Sequence, residues 1–150
     1  MNQQRRNVLK YTAVFGLMAS SGLITLARAE EWNKAAFEGK SLDEVFKALG
    51  TGTPDKSAVV VMNAPDIAEN GAVVPVGIST TLKAQQMAIL VEKNPGTLAA
   101  QFFIPAGTEP FMTTRIKMAQ TSNVYALVKA DGKWTMAVKE IKVTLGGCGG

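Results

Sequence analysis

From Ser41 onward the apolar positions repeat first with the spacing of a helix and then with that of strands. Leu42, Val45, Phe46 and Leu49 fall at i, i+3, i+4 and i+7, one face of a helix. Ser41 stands at the N-cap with Glu44 three places on, a capping box, and Gly50 suits the left-handed residue that ends a helix. The pattern predicts a short helix over 42–49, with Trp32 and Phe37 packing beside it from upstream.

After Gly50-Thr51-Gly52-Thr53-Pro54 the chain changes to period two or to short β-rich runs. These predict strands over 57–63, 72–80, 85–93, 97–104, 110–118, 122–130 and 134–145. Glu69-Asn70-Gly71, Asn94-Pro95-Gly96, Pro105-Ala106-Gly107 and Asp131-Gly132 separate them as turns, the last a short hairpin with Lys133 in its loop. Strands at this spacing predict a mainly β fold, an immunoglobulin-like seven-stranded antiparallel β-sandwich, with a small barrel as the alternative. Pro75 inside Val73-Val74-Pro75-Val76 predicts an edge strand or a bulge there. In the final strand Trp134, Met136 and Val138 share one face, and Ile141, Val143 and Leu145 the other. The change of phase across Lys139-Glu140 predicts a bulge or a crossing between sheets, with a second apolar face open to a partner subunit.

Residues 1–29 have a different pattern. A polar, basic start, Met1 to Lys10, precedes a modest apolar run, Tyr11 to Leu26, which ends in Ala27-Arg28-Ala29. The run is shorter than the ~20 apolar residues a spanning helix needs. The layout is that of a signal peptide with an A-x-A-like cleavage site formed by Ala27 and Ala29. Gln4-Arg5-Arg6-Asn7-Val8-Leu9-Lys10 resembles the twin-arginine export signal, with Val8 where Phe is commoner. An ordinary secretory signal is the alternative. The resemblance implies export of an already folded protein to the periplasm through Arg5 and Arg6.

This segment changes the meaning of the charge. The whole chain carries a formal net charge of +4. Arg5, Arg6, Lys10 and Arg28 lie before residue 30 and no acid does, so the remainder holds twelve cations against twelve acids. The basic excess belongs to the signal, and nucleic-acid binding loses its main support. The absence of His excludes Ser-His-Asp and Cys-His catalysis and imidazole metal sites. A single Cys excludes an internal disulfide and a Cys-ligated cluster.

That one Cys carries the chemistry. The chain closes Leu145-Gly146-Gly147-Cys148-Gly149-Gly150. Four glycines have the most backbone entropy to lose and no side chains to pack. Residues 146–150 are therefore expected to form a thin, flexible arm beyond the β domain of residues 30–145. A thiol on such an arm can enter a narrow site in another protein. An ordinary thiol of pKa about 8.5 is mostly protonated near neutrality, so its activation is expected to come from the partner. An exposed solitary Cys in an oxidising compartment is a liability unless it is used. The bland reading is a disordered tail with an accidental Cys.

The ending Lys139-Glu140-Ile141-Lys142-Val143-Thr144-Leu145-Gly146-Gly147-Cys148-Gly149-Gly150 resembles the SoxY family, sulfur carriers of the Sox thiosulfate-oxidising system. So do Ala64-Pro65-Asp66-Ile67-Ala68-Glu69-Asn70-Gly71-Ala72-Val73-Val74-Pro75-Val76, Leu90-Val91-Glu92-Lys93-Asn94-Pro95, Arg115-Ile116-Lys117-Met118 and Ser122-Asn123-Val124-Tyr125-Ala126. The resemblance implies a periplasmic carrier, itself no enzyme and without a cofactor, that holds sulfur covalently on Cys148. It implies a tight heterodimer with a SoxZ-type β-sandwich subunit. It also implies a c-type cytochrome that loads thiosulfate, a dimanganese hydrolase that releases sulfate and, where present, a molybdenum sulfane dehydrogenase. No membrane anchor is expected.

Other clusters have structural readings. Asp66, Glu69 and Asn70 could offer oxygens to calcium, but their spacing fits no EF-hand loop and Asn70-Gly71 suffices as a turn. Met62, Met87, Met112, Met118 and Met136 fall at strand apolar positions, where packing is expected rather than copper. Arg115 and Lys117, alternating with Ile116 and Met118, read as a solvated strand face. Asp43 and Glu44 support the helix start. Two other functions remain open from the residues: a β-sandwich adaptor using Cys148 only for an intermolecular disulfide, and a ubiquitin-like carrier using a Gly-Gly carboxylate. The export signal argues against the latter, whose adenylation needs cytoplasmic ATP.

Overall fold

The computed structural model describes Asn7 and residues 33–145. The signal residues Arg5, Arg6, Ala27 and Ala29, together with Trp32 and the arm 146–150, lie outside the described residues. From residue 33 on, the described residues begin with two helices, α1 (Lys34–Glu38) and α2 (Leu42–Leu49). Nine strands follow among them: β1 (Asp55–Lys56), β2 (Val60–Asn63), β3 (Ile67–Ala68), β4 (Val74–Thr80), β5 (Ala84–Val91), β6 (Leu98–Phe103), β7 (Phe111–Ile116), β8 (Ser122–Ala130) and β9 (Lys133–Val143).

Helix α2 has the predicted bounds and caps. The Ser41 hydroxyl accepts from the Glu44 amide at 3.3 Å, and the Glu44 carboxylate reaches back to the Lys40 amide at 2.8 Å. Gly50 takes φ +66°, and Thr51 donates to Phe46 C=O at 2.9 Å, closing the last turn. Gly39 separates the two helices because a side chain there has no room. A Cβ at Gly39 would lie 2.7 Å from Val45 Cγ2, and Val45 is fully buried.

The seven predicted strands correspond to β2 and β4–β9. They form a two-sheet sandwich, with β1–β9–β8–β5–β6 in one sheet and β2–β4–β7 in the other. The two additional strands are two-residue pieces, β1 and β3, and both run parallel to β9. The fold is therefore not wholly antiparallel. Asp131 (φ +50°) and Gly132 (φ +76°) make the β8–β9 hairpin turn alone, with Lys133 already in the strand opposite Ala130.

The larger sheet is covered on both faces. Met87, Ile89 and Val91 of β5 and Val124, Ala126 and Val128 of β8 face the smaller sheet. Ala88, Leu90, Leu127, Trp134 and Met136 face the helices and pack with Ala36 and Val45. This explains why β5 reads as a continuous buried run from Met87 to Val91 rather than an alternation.

Two local expectations need correction. The β8–β9 register runs unbroken from Ser122↔Ile141 to Ala130↔Lys133, so no bulge lies at Lys139-Glu140. The phase changes because the cover changes: Trp134 and Met136 meet the helix-side core, whereas Ile141 meets the inter-sheet core from the opposite face of the same strand. Ile141 and Val143 of the second face are thus used within the chain, while Leu145 beyond them is exposed. Pro75 does not lie on an edge strand, since β4 is the middle strand of its sheet and pairs with β7 through Pro75↔Arg115 without a bulge. Pairing with β2 reaches only as far as Gly77, so β4 has an open side at Pro75 and the ring displaces no ladder bond there.

Candidate functional site

Among the described residues, those nearest to Cys148 along the chain are the end of β9 and the residues that hold it. Beyond Ile141 the ladder with β8 has ended, and other partners take over. The Val143 amide donates to Thr121 Oγ1 at 2.9 Å. On the other side the segment Ala64–Gly71 lies along β9 as a strap. Its β3 pairs Ile67↔Lys142 and Ala68↔Val143 in parallel. The Lys142 amide donates to Asp66 C=O at 3.0 Å, and the Thr144 amide to Ala68 C=O at 3.1 Å. Thr144 Oγ1 donates to Glu69 C=O at 3.0 Å, and the Gly71 amide to Leu145 C=O at 2.7 Å.

Side chains tie the strap down further. Lys139 Nζ pairs with Asp66 Oδ1 at 2.9 Å and also donates to Ala64 C=O. Ala68 is buried in the inter-sheet core while Ile67 stands 56% exposed. The strap is thus held through one apolar anchor and a row of backbone bonds. It gives Asp66, Glu69 and Asn70 separate structural tasks: an ion pair, a carbonyl acceptor for Thr144, and an acceptor for the Ala72 amide at 2.8 Å.

Near the start of β8, Glu92 Oε2 accepts from Asn123 Nδ2 at 2.9 Å and from the Tyr125 hydroxyl at 3.5 Å. Burial raises the Tyr125 pKa above its ordinary value, and the Glu92 charge and its hydrogen bond raise it further, against a smaller lowering by Asn123. Asn94 ties the same end of the sandwich together, donating to Lys117 C=O at 2.7 Å and accepting from the Ala119 amide at 2.9 Å.

The remaining candidates separate rather than converge. Met87, Met112 and Met118 are buried in the inter-sheet core, with Met62 against it, and Met136 lies in the helix-side core. Arg115 and Lys117 are exposed between buried Ile116 and Met118, a solvated strand face. Asp43 and Glu44 occupy the first turn of α2. Among the described residues no group of three or more acidic or Cys side chains could hold a metal ion, and no helix is long and apolar enough to cross a membrane.

The strap is the feature that the periodicity of the sequence missed. A two-residue parallel strand has no period to detect. The available signal was Ile67, an apolar residue stranded in a turn-rich stretch.

Comparison with known proteins follows the same segments. The family model of the sulfur oxidation protein SoxY matches residues 46–148, ending on the lone Cys. The solved structure of the sulfur carrier protein SoxY from Chlorobium limicola f thiosulfatophilum is 35% identical, covers 69% of this chain and 94% of its own, and superposes with a TM-score of 0.60. A superoxide reductase (neelaredoxin) from Ignicoccus hospitalis is similar in fold alone, at 17% identity over 57% of this chain and 80% of its own, with a TM-score of 0.51. No curated protein matches the chain at comparable significance.

Proposed function

The chain belongs to the SoxY family of sulfur oxidation proteins, and on that premise we propose that it is a periplasmic carrier whose working atom is the Cys148 sulfur. The observation that carries the reading is that the family match runs to Cys148, three residues beyond Leu145, which is bonded to Gly71 of the strap. A carrier in sulfur oxidation needs one nucleophile that can be presented to several enzymes, on a body that stays fixed while it is presented. The strap and Thr121 supply the fixed body, and Gly146 and Gly147 place no side chain between Leu145 and the thiol.

The chemistry balances on one sulfur. In loading, Cys148–SH and thiosulfate give Cys148–S–S–SO3⁻ with release of one proton and two electrons, the electrons passing to a c-type cytochrome. Hydrolysis of the outer S–S bond by water gives Cys148–S–S⁻, sulfate and two protons. The catalysts are the partner enzymes, among them a dimanganese hydrolase and, where present, a molybdenum sulfane dehydrogenase. The carrier needs no cofactor of its own. A SoxZ-type β-sandwich subunit completes a heterodimer. Export through Arg5 and Arg6 of the twin-arginine signal, with cleavage after Ala29, delivers the folded pair to the periplasm.

Intact mass of the native periplasmic protein tests the reading. Sulfur or thiosulfonate adducts on Cys148 that a reductant removes are the expected result. A protein carrying only Cys148–Cys disulfides through repeated preparations would overturn it in favour of an adaptor. A C-terminal thiocarboxylate would overturn it in favour of a Gly-Gly carrier.

A further inference from the structure

Asn70 is the one asparagine in the sequence that is followed by glycine. With no side chain on the next residue, the amide nitrogen that follows the asparagine meets least hindrance in reaching its side chain. The Gly71 nitrogen attacks Cγ of Asn70 and gives up its proton, the Cγ–Nδ2 bond breaks, and Nδ2 leaves as ammonia. Water then opens the five-membered imide at either carbonyl, giving aspartate or isoaspartate. One water is consumed, one ammonia is released, and no electrons are transferred.

In the folded chain both reacting groups are engaged. Gly71 is buried, and its amide donates to Leu145 C=O at 2.7 Å. The nitrogen is not free to attack while that bond holds. Asn70 is exposed, but its Oδ1 accepts from the Ala72 amide at 2.8 Å and its C=O from the Val73 amide at 3.3 Å. The nucleophile is thus restrained by the same bond that fastens Leu145 to the strap.

The two products differ in what they do to the strap. Isoaspartate routes the main chain through Cβ and Cγ of residue 70 and so adds one backbone carbon directly before Gly71. The bonds from Gly71 to Leu145 and from Met118 to Gly71, both 2.7 Å, depend on where Gly71 sits and lose their register. Aspartate adds no backbone atom and keeps the Oδ1 acceptor for Ala72.

We propose that Asn70-Gly71 is a latent self-modification site, held inert by the bond from Gly71 to Leu145, and that its conversion to isoaspartate releases Leu145 and the end of β9 from the strap. The proposal concerns the strap alone and is independent of what Cys148 carries.

The test follows the purified full chain in warm, mildly alkaline buffer, with conversion at Asn70 read by peptide mass. Conversion is expected to be about tenfold or more slower in the folded protein than in denaturant, since opening must break several strap bonds. Thr144→Val removes the exposed bond from Thr144 Oγ1 to Glu69 C=O and is expected to speed conversion about threefold, with the melting temperature little changed. Protein enriched in isoaspartate is expected to show faster amide exchange at Gly71 and Thr144, whereas Asn70→Asp should exchange as wild type. Equal rates in the folded and denatured chain, or a Thr144→Val rate equal to that of wild type, would overturn the protection. Unchanged exchange in the isoaspartate protein would overturn the release of β9.

Discussion

The amide of Gly71 donates to the carbonyl of Leu145 at 2.7 Å, and the carbonyl of Gly71 accepts from the amide of Met118 at the same distance. One residue thereby joins the end of β9, the strap and the loop after β7. Both of its main-chain polar groups are satisfied across elements far apart in sequence. The chain is thus held by main-chain bonds as far as Leu145.

Thr121 is expected to matter through a single bond. Thr121→Val keeps the shape but removes the acceptor of the Val143 amide. The expected loss is about 1 kcal/mol, because Val143 is only half-buried and water can partly replace the hydroxyl. Amide exchange at Val143 should accelerate, and Thr121→Ser should restore it. Exchange unchanged in the valine variant would show that the bond is not formed.

Gly39→Ala should destabilise the helix layer. The new methyl would lie 2.7 Å from Cγ2 of Val45, a fully buried β-branched residue with little freedom to turn. Overpacking of this kind costs about 1–3 kcal/mol. A lowered melting temperature checks it, and relief of the loss in a Gly39→Ala, Val45→Ala double variant would assign it to this contact.

Tyr125 provides a spectroscopic handle, being the sole tyrosine from residue 30 onward. Its folded pKa lies above the ordinary 10.0, through burial first and then Glu92. The stability it contributes is therefore fully present below pH 10 and declines as pH rises through the folded pKa, because the unfolded chain loses the proton first. Phenolate absorbance of the processed protein should appear at higher pH in the folded state than in denaturant. Glu92→Gln should move the folded midpoint downward by removing the neighbouring negative charge.

Cys148→Ser is expected to abolish thiosulfate-dependent respiration while leaving the melting temperature and partner binding unaltered, since it exchanges a single side-chain atom. Gly147→Val is expected to slow transfer by widening the arm next to the thiol. Growth on thiosulfate and turnover with purified partner enzymes are the measurements. Full activity in Cys148→Ser would end the carrier reading.

Much of the fold was legible because its signals are local. Ser41, Glu44 and Gly50 bracketed α2 to the residue, since caps act over three or four positions. The seven longer strands followed from apolar runs between turns. Pro75 was misplaced because a proline reports only that its own amide makes no ladder bond. It cannot report that β2 stops at Gly77 and leaves the middle strand open there. The phase change in β9 was visible, yet its cause was not. A helix layer over one part of a sheet and a second sheet over its other face leave the same trace in sequence as a bulge.

By itself, the sequence determined the helix, the strands, the balance of charge from residue 30 onward, and a lone thiol between glycines. Only the tertiary structure decided which strands share a sheet, why the larger sheet is apolar on both faces, and how β9 is held at its end. The reason is physical. Periodicity records which side of a segment avoids water, whereas the strap is held by bonds to main-chain carbonyls, such as Thr144 Oγ1 to Glu69 C=O, which join positions 75 residues apart and leave no period in either segment.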